Sequence, residues 1–327
     1  MRSLIRASLP AFAALCMGGF VLGVGCSPPP IDPVDASTVP SPIEDVDASV
    51  PLPIDDGGDR RDVSDPFADA TTPANGTPGC LRAAVAGVRE SLVLDVAGAS
   101  RSYTLSVPEG YDARKAYRLV VGYHSGGRTG ASARPYFDLE SRAGGAAIFV
   151  YPDGLRGNWD IATPAPQNRD MALFDALLAS LGATYCLDKT RVFAVGTSNG
   201  AYFVNQLACA RGDSLRAIAS HAGGGPFASA GGTYDAKGQL VCPTPPIAAA
   251  IFHGLADTNV SPAEGEKAIT HWSHWNGCEA ARSPTAPAPC ETARGCKNPV
   301  VVCKGPGQGH AIWGPGRQAT WDFFAAF

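Results

Sequence analysis

The fold class can be predicted from one stretch of the sequence, Val192-Phe193-Ala194-Val195-Gly196-Thr197-Ser198-Asn199-Gly200. Its first four residues are apolar and predict a buried strand, and its last five have the form G-x-S-x-G. The next residues, 201–210, can form a helix. A tight turn between strand and helix lifts a serine hydroxyl out of the sheet, where a neighbouring backbone N–H can stabilise an oxyanion. The stretch therefore predicts a nucleophile, Ser198, on a strand–turn–helix unit.

Strands and helices alternate along the chain on both sides of this turn. Further strands are predicted at 101–107, 119–123, 146–151, 217–221, 247–252 and 300–303, and helices at 170–181, 262–275 and 318–327. Asp170 is expected to cap the first of these helices. Alternating strands and helices are typical of βαβ units, so the pattern predicts an α/β fold with a mainly parallel central sheet flanked by helices.

The N-terminus has the pattern of a bacterial export signal. Arg2 and Arg6 precede an apolar stretch at 9–24, and small residues lie before Cys26. We predict a lipoprotein-type signal peptide over residues 1–25, with Cys26 as a lipidated first residue that anchors the protein to a membrane. The lipobox is imperfect because Gly23 stands where a large aliphatic residue is usual. Ordinary secretion, with cleavage nearby, is the alternative.

Residues 26–79 are rich in Pro, Asp, Ser, Thr and Ala. Eleven acidic residues lie between Asp32 and Asp69, against Arg60 and Arg61 only. Such a segment cannot bury enough apolar surface to offset the entropy of ordering, so we predict a disordered tether. Residues 80–327 are then one catalytic domain, expected to be monomeric. By difference, residues 80–327 carry a small positive net charge, so the formal net charge of −4 describes the tether more than the domain. No basic stripe indicates nucleic-acid binding.

The predicted domain contains an even number of cysteines. They are Cys80, Cys186, Cys209, Cys242, Cys278, Cys290, Cys296 and Cys303. In an exported protein an even count favours disulfides and an extracellular location. Metal binding is the competing interpretation, but no C-x-x-C pair occurs and no histidine lies at ligand spacing to the cysteines. We expect no metal and no cofactor.

A serine nucleophile of this type needs an acid and a histidine, in that order, in loops after later strands. His310 lies in the glycine-rich loop 305–310, after a predicted strand and before the last helix. Asp257 follows the strand at 247–252 by one turn, with Asp213 and Asp235 as competitors. The other histidines after Ser198 are His221, His253, His271 and His274. Of these, His253 is predicted to be structural, and His271 and His274, on a predicted helix, to be surface or packing residues.

Two backbone donors are needed for the oxyanion. One is predicted to be the N–H of Asn199, and the other an amide at Ser125 or Gly126, in the loop after the strand at 119–123. An aromatic acyl group would suit a cleft lined by aromatic side chains. The candidates for that lining are Trp159, Tyr202 and Trp313.

From about Arg101 onward the sequence resembles the secreted feruloyl esterase and polyhydroxybutyrate depolymerase group of α/β hydrolases (carbohydrate esterase family 1). The resemblance rests on these segments: 123–127, 151–154 with Trp159, 170–174, 191–200, 207–209, 253–257, 275–278, and 309–310 with 313–315. It departs from the group at Ser125, where glycine is frequent, and at Ala201. The resemblance implies the α/β-hydrolase fold and the triad of Ser198, Asp257 and His310.

The resemblance also implies disulfide pairings. It pairs Cys209 with Cys242 behind the nucleophile helix, and Cys278 with one of Cys290, Cys296 or Cys303. It leaves Cys80 to pair with Cys186.

The expected activity is hydrolysis of a carboxylic ester carried by a polysaccharide or a polyester. Feruloyl esters of plant cell-wall xylan are the first expectation, and polyhydroxybutyrate and acetylated xylan are the alternatives. A hypothesis of another class is a surface-anchored binding protein that has kept the fold and lost catalysis.

Overall fold

The computed structural model describes residues 70–229 and 231–327. The predicted signal peptide, the lipidated Cys26 and the tether up to residue 69 lie outside the described residues. Within them no helix is both long enough and apolar enough to span a membrane.

In the described residues, ten strands form one sheet and six α-helices pack on it. The strands are β1 (Gly87–Val96), β2 (Ala99–Val107), β3 (Tyr117–Tyr123), β4 (Ala147–Pro152), β5 (Leu187–Thr197), β6 (Ala217–His221), β7 (Ala248–Gly254), β8 (Arg282–Pro284), β9 (Cys290–Ala293) and β10 (Val300–Gly305). The helices are α1 (Gly130–Phe137), α2 (Glu140–Ala143), α3 (Arg169–Thr184), α4 (Asn199–Arg211), α5 (Pro262–Trp275) and α6 (Gly316–Ala325).

The strand order is β1-β2-β4-β3-β5-β6-β7-β10-β9-β8. The six strands from β4 to β10 in this order pair in parallel, and the two strands at each edge are antiparallel. The predicted α/β class and mainly parallel centre are confirmed. Because parallel strands end at the same edge, the loops after β3, β5, β7 and β10 lie together.

Side chains of the central strands alternate between two cores, one on each face of the sheet. Leu119 and Val121 of β3 pack with α3, α4 and α5, whereas Val120 packs with α1 and α6. Every residue of β4, β6 and β7 is buried, as expected for parallel strands covered on both faces. The continuous apolar runs read from the sequence are a consequence of this double burial.

Several predicted boundaries need correction. Helix α3 is capped by Asn168 rather than Asp170, because the Asn168 side chain accepts hydrogen bonds from the N–H groups of Asp170 and Met171. Asp170 is instead buried in an ion pair with Arg101. Strands β1, β8 and β9 and the helix α1 were not predicted. Helix α1 has a proline at position 135 and only three buried residues, so its apolar pattern is weak.

The end of the predicted tether packs against the domain. Gly76 pairs with Asp188 in a β-bridge, and the N–H of Gly79 donates to the Gly182 carbonyl at 2.8 Å. The Thr77 hydroxyl is buried and donates to the Tyr185 carbonyl at 2.6 Å. The predicted tether extends to residue 79, whereas residues 76–79 already bond to the strand and helix that flank Cys186.

All eight cysteines of the domain are in disulfides, as predicted. The pairs are Cys80–Cys186, Cys209–Cys242, Cys278–Cys296 and Cys290–Cys303. The first two pairs are those that the family resemblance implied. Of the three partners left open for Cys278, the structure selects Cys296.

Candidate active site

Ser198 lies at the sharp turn between β5 and α4. Its backbone has φ 55° and ψ −121°, a strained conformation for a residue with a side chain. The flanking glycines are required by close contacts: a Cβ on Gly196 would lie 2.2 Å from the Gly200 carbonyl oxygen, and one on Gly200 would lie 2.3 Å from that of Tyr123. The N–H of Ser198 donates to the His221 carbonyl at 2.9 Å. The turn thus presents the Ser198 hydroxyl above the sheet edge.

The structure places His310 within hydrogen-bond distance of both Ser198 and Asp257. His310 Nε2 lies 2.9 Å from Ser198 Oγ, and His310 Nδ1 lies 2.7 Å from Asp257 Oδ2. The acid follows β7 and the histidine follows β10, so strand ends supply all three residues. Ser198 and His310 are separated by 112 residues, and the parallel sheet closes that gap.

The Asp257 carboxylate is fully enclosed and well supplied with donors. Its Oδ1 accepts the N–H groups of Asn259 and Val260, both at 2.9 Å. Burial on its own would raise the pKa of Asp257, but the hydrogen bonds from His310, Val260 and Asn259 outweigh it and hold the pKa below its usual value. The carboxylate is therefore charged beside the imidazole and selects the tautomer with its proton on Nδ1.

The competing acids and histidines lie elsewhere. Asp235 pairs with His274 near the end of α5, and Asp213 is exposed. His271 is buried with Nε2 3.4 Å from the Cys242 sulfur, and that sulfur is in a disulfide rather than free to bind a metal. Of these other histidines, His253 contacts the acid: its Nε2 donates to the Val260 carbonyl at 3.0 Å and lies 3.6 Å from Asp257 Oδ2, farther than His310 Nδ1.

Of the predicted oxyanion donors, Ser125 and Gly126 line a cavity beside Ser198, and Asn199 directly follows Ser198 in the chain. Asn199 is the first residue of α4, so its N–H has no acceptor within the helix. Among the described residues, no acceptor bonds the N–H of Asn199, Ser125 or Gly126. Helix N-termini and free amides of this kind favour negative charge.

His124 holds the Ser125–Gly126 loop in place. Its Nε2 accepts the N–H of Gly154 at 2.9 Å, so its proton is on Nδ1, 2.8 Å from the Ser125 carbonyl oxygen. Burial lowers the pKa of His124, which keeps the ring neutral and the tautomer fixed. The loop is thus positioned by a side chain that the sequence analysis had treated only as part of a motif.

Trp159 packs behind this loop and is not among the residues that line the cavity beside Ser198, so its predicted role in binding substrate stays a prediction. The side chain is 3% exposed and its Nε1–H donates to the His124 carbonyl at 2.9 Å. Its backbone N–H donates to Asn199 Oδ1 at 2.7 Å, and Asn199 Nδ2 donates back to its carbonyl at 3.3 Å. The side chain of Asn199 therefore ties the nucleophile helix to the loop that carries the other amides.

A cavity of about 550 Å³ opens beside Ser198. It is lined by His124, Ser125, Gly126, Arg128, Ser132, Ala133, Tyr136, Thr197, Ser198, Asn259 and His310. Tyr202 and Trp313 are half-buried and are not among the lining residues. Four of these lining residues were not predicted from the sequence: Arg128, Ser132, Tyr136 and Asn259. The spacing of 132, 133 and 136 puts them on one face of α1, but that helix was not predicted.

This arrangement has the parts needed for acyl transfer through serine. A base lies within reach of the hydroxyl, an acid orients the base, and unpaired amides border the cavity where an oxyanion would form.

Sequence comparison relates the chain to esterases of filamentous fungi. It is 34% identical over 240 residues to a protein named probable feruloyl esterase C from Aspergillus terreus, covering 68% of this chain and 83% of that one. It is 32% identical over 277 residues to feruloyl esterase C of Emericella nidulans, covering 79% and 94%. No family model matches the chain.

Solved structures agree on the fold. An acetyl xylan esterase from Aspergillus awamori superposes with a TM-score of 0.56 at 17% identity, covering 73% of this chain and 99% of that one. A mutant feruloyl esterase module from Clostridium thermocellum, complexed with sinapinate, superposes with a TM-score of 0.50 at 14% identity, covering 73% and 87%. At these identities the likeness concerns the α/β-hydrolase fold.

Proposed function

The chain belongs to the feruloyl esterase family of α/β hydrolases, and from that premise we propose that it is a serine esterase that hydrolyses feruloyl esters. The observation that carries the proposal is the His310 imidazole bridging Ser198 and Asp257 at 2.9 and 2.7 Å. The substrate class comes from the relatives' names, and the chemistry comes from this geometry.

In the first step His310 Nε2 takes the proton of Ser198 as the oxygen attacks the ester carbonyl. Asp257 stays ionised and stabilises the imidazolium that forms. The negative charge on the carbonyl oxygen is held by the N–H of Asn199 and by an amide of Ser125 or Gly126. His310 then gives its proton to the leaving alcohol, and an acyl-enzyme remains on Ser198.

In the second step water replaces the alcohol. His310 takes a proton from water, the resulting hydroxide adds to the acyl carbon, and the carboxylic acid leaves as the proton returns to Ser198. Each proton removed is restored, so the enzyme ends in its starting state. The four disulfides fit an oxidising, extracellular setting. Lipid anchoring through Cys26 and attachment of the ester to xylan remain part of the proposal.

The test compares the unmodified protein with Ser198→Ala on methyl ferulate, acetylated xylan and polyhydroxybutyrate granules. We expect Ser198-dependent turnover with the highest kcat/KM on methyl ferulate. Ser198→Ala should lower kcat by at least about 10⁴-fold with the fold intact. Ser214→Ala, in the loop after α4, is the matched control and should stay within twofold.

The other outcomes separate the alternatives. A preference for acetylated xylan or for the granules would replace the feruloyl substrate and leave the serine mechanism. A loss below tenfold in Ser198→Ala would contradict the assignment of the nucleophile. No Ser198-dependent turnover on any ester would instead support a binding protein without catalysis.

A further inference from the structure

The cavity beside Ser198 carries an unbalanced positive charge. Arg128 is exposed and lines the cavity, and no aspartate or glutamate is among the lining residues. Asp257 lies behind His310, and its carboxylate accepts a hydrogen bond from His310 Nδ1. Within the described residues, the arginines that form ion pairs with carboxylates are Arg101, Arg114, Arg134, Arg142, Arg191, Arg211 and Arg282. Arg128 is therefore a cation with no acidic partner there.

A second arginine of the same kind lies on the adjoining loop. The N–H of Gly127 donates to the Gly157 carbonyl at 2.8 Å, which joins the Arg128 loop to the turn that contains Arg156. Arg156 is exposed and lines a neighbouring cavity of about 470 Å³. It too has no ion pair with a carboxylate in the parts of the chain that the structure describes.

The two cavities adjoin at a close contact, since a Cβ on Gly126 would lie 2.9 Å from Asn158 Oδ1. Asp160 and Asp170 line the second cavity together with Arg169, and neither forms an ion pair with Arg156. Asp170 pairs with the buried Arg101 at 2.6 Å, and Asp160 Oδ1 accepts the N–H groups of Ala162 and Thr163. The guanidinium groups at 128 and 156 are thus free to bind an anion at the rim.

We propose that Arg128 and Arg156 form a cationic rim that binds a carboxylate of the substrate, so that the enzyme prefers acidic esters to neutral ones. The inference rests on the proposed function and narrows its substrate class. A guanidinium presents paired N–H donors that match a carboxylate, and this geometry is typical of carboxylate recognition. The carboxylate could be carried by the acyl group or by the alcohol, for example by a uronic acid of a polysaccharide.

The experiment uses matched ester pairs. Methyl ferulate against the ferulate ester of glycolic acid tests a carboxylate on the alcohol, and methyl butyrate against monomethyl succinate tests one on the acyl group. The variants are Arg128→Gln, Arg156→Gln and the double variant. Arg82→Gln is the control: it removes the same charge from an exposed site near the Cys80–Cys186 bridge, at the opposite end of β5.

For whichever of the two acidic esters the enzyme prefers, we expect kcat/KM to fall about two- to fivefold per arginine replaced. This is the effect expected from the loss of one partly exposed ion pair. The preference should also weaken as salt rises, because the Debye length shortens. Neutral esters and Arg82→Gln should change by less than twofold. Equal losses on neutral and acidic esters, or no preference for either acidic ester in the unmodified protein, would overturn the inference.

Binding to Ser198→Ala, measured by calorimetry, separates this inference from the proposed function. Tighter binding of the acidic ester, lost in the Arg128→Gln and Arg156→Gln double variant, would support the rim even if no ester were turned over. If turnover depended on Ser198 but acidic and neutral esters bound Ser198→Ala equally well, the proposed esterase function would be supported and the cationic rim would be overturned.

Discussion

Ser198 has a strained backbone conformation, and the next residue, Asn199, has an unpaired N–H and a hydrogen-bonded side chain. The positive φ of Ser198 costs on the order of 1–3 kcal/mol in backbone strain, and the surrounding glycines make that conformation attainable. The N–H of Asn199 bonds no acceptor in the described residues, and its side chain exchanges hydrogen bonds with the Trp159 backbone. The side chain of Asn199 can therefore be tested separately from its amide.

Asn199→Ala should leave the N–H in place but release the loop that carries Trp159 and His124. We expect kcat on an ester to fall about ten- to a hundredfold with little change in KM, because the loss lies in the position of the oxyanion donors. Asn75→Ala, an exposed asparagine at the opposite end of β5, should behave as the unmodified protein. An unchanged kcat would contradict a positioning role for the Asn199 side chain.

Strand β2 and helix α3 are joined by a buried ion pair. Arg101 Nη2 lies 2.6 Å from Asp170 Oδ1 and also donates to the Asp153 carbonyl at 3.0 Å. Asp170 Oδ2 in turn accepts the N–H of Asp160, one residue after Trp159. The pair therefore fixes the segment between β4 and α3, which supports the oxyanion loop.

Arg101→Met should leave the Asp170 carboxylate buried without its cation. The free energy of unfolding is expected to fall by about 3–5 kcal/mol. Arg114→Met removes one partner of an exposed pair with Asp112 and should leave the free energy of unfolding nearly unchanged. Denaturant titration of both variants is the measurement, and equal losses would show that burial of the Arg101 pair is unimportant.

At the level of the whole domain, two buried histidines couple stability to pH. Burial, reinforced by Arg317, lowers the pKa of His221 to about 3. Burial, reinforced by His274, lowers the pKa of His271 to about 4. Both rings are neutral in the folded protein near pH 6, whereas in the unfolded chain each binds a proton with a pKa of about 6.5.

The unfolded state therefore binds up to two more protons than the folded state between about pH 6 and pH 4. The contribution of these two histidines to the free energy of unfolding is complete above their pKa in the unfolded chain. It falls as the pH drops below that pKa, by up to about 2.7 kcal/mol per pH unit for the two residues together. His221→Gln should reduce that slope by about half. A slope unchanged in the variant, measured by denaturant titration at several pH values, would refute the linkage.

Disulfides constrain the domain over very different chain lengths. Cys80–Cys186 closes a separation of 106 residues and Cys290–Cys303 one of 13. Replacing the first pair by alanine should cost about 5 kcal/mol and the second about 3 kcal/mol, because a longer loop gains more entropy in the unfolded chain. Denaturant titration of both double variants checks this order. A larger loss for the shorter loop would contradict the entropic account.

Local patterns in the sequence were sufficient for the frame of the molecule. The apolar run before Ser198 and the glycines around it predict the elbow, because sterics act over a few residues. Helix α5 and strand β6 have the predicted bounds. The order of Ser198, Asp257 and His310 along the chain also follows from the motif and the strands.

Contacts between segments that are distant in sequence could be read only from the tertiary structure. The choice of Cys296 as the partner of Cys278, the burial of Trp159 behind His124, and the presence of Arg128 in the cavity depend on how loops from separate strands pack. No periodicity encodes such contacts, because they arise only after the sheet brings residues far apart in sequence to one edge. Local sequence patterns therefore predicted the α/β fold and the candidate nucleophile Ser198, whereas the packing of distant segments determined which residues surround Ser198.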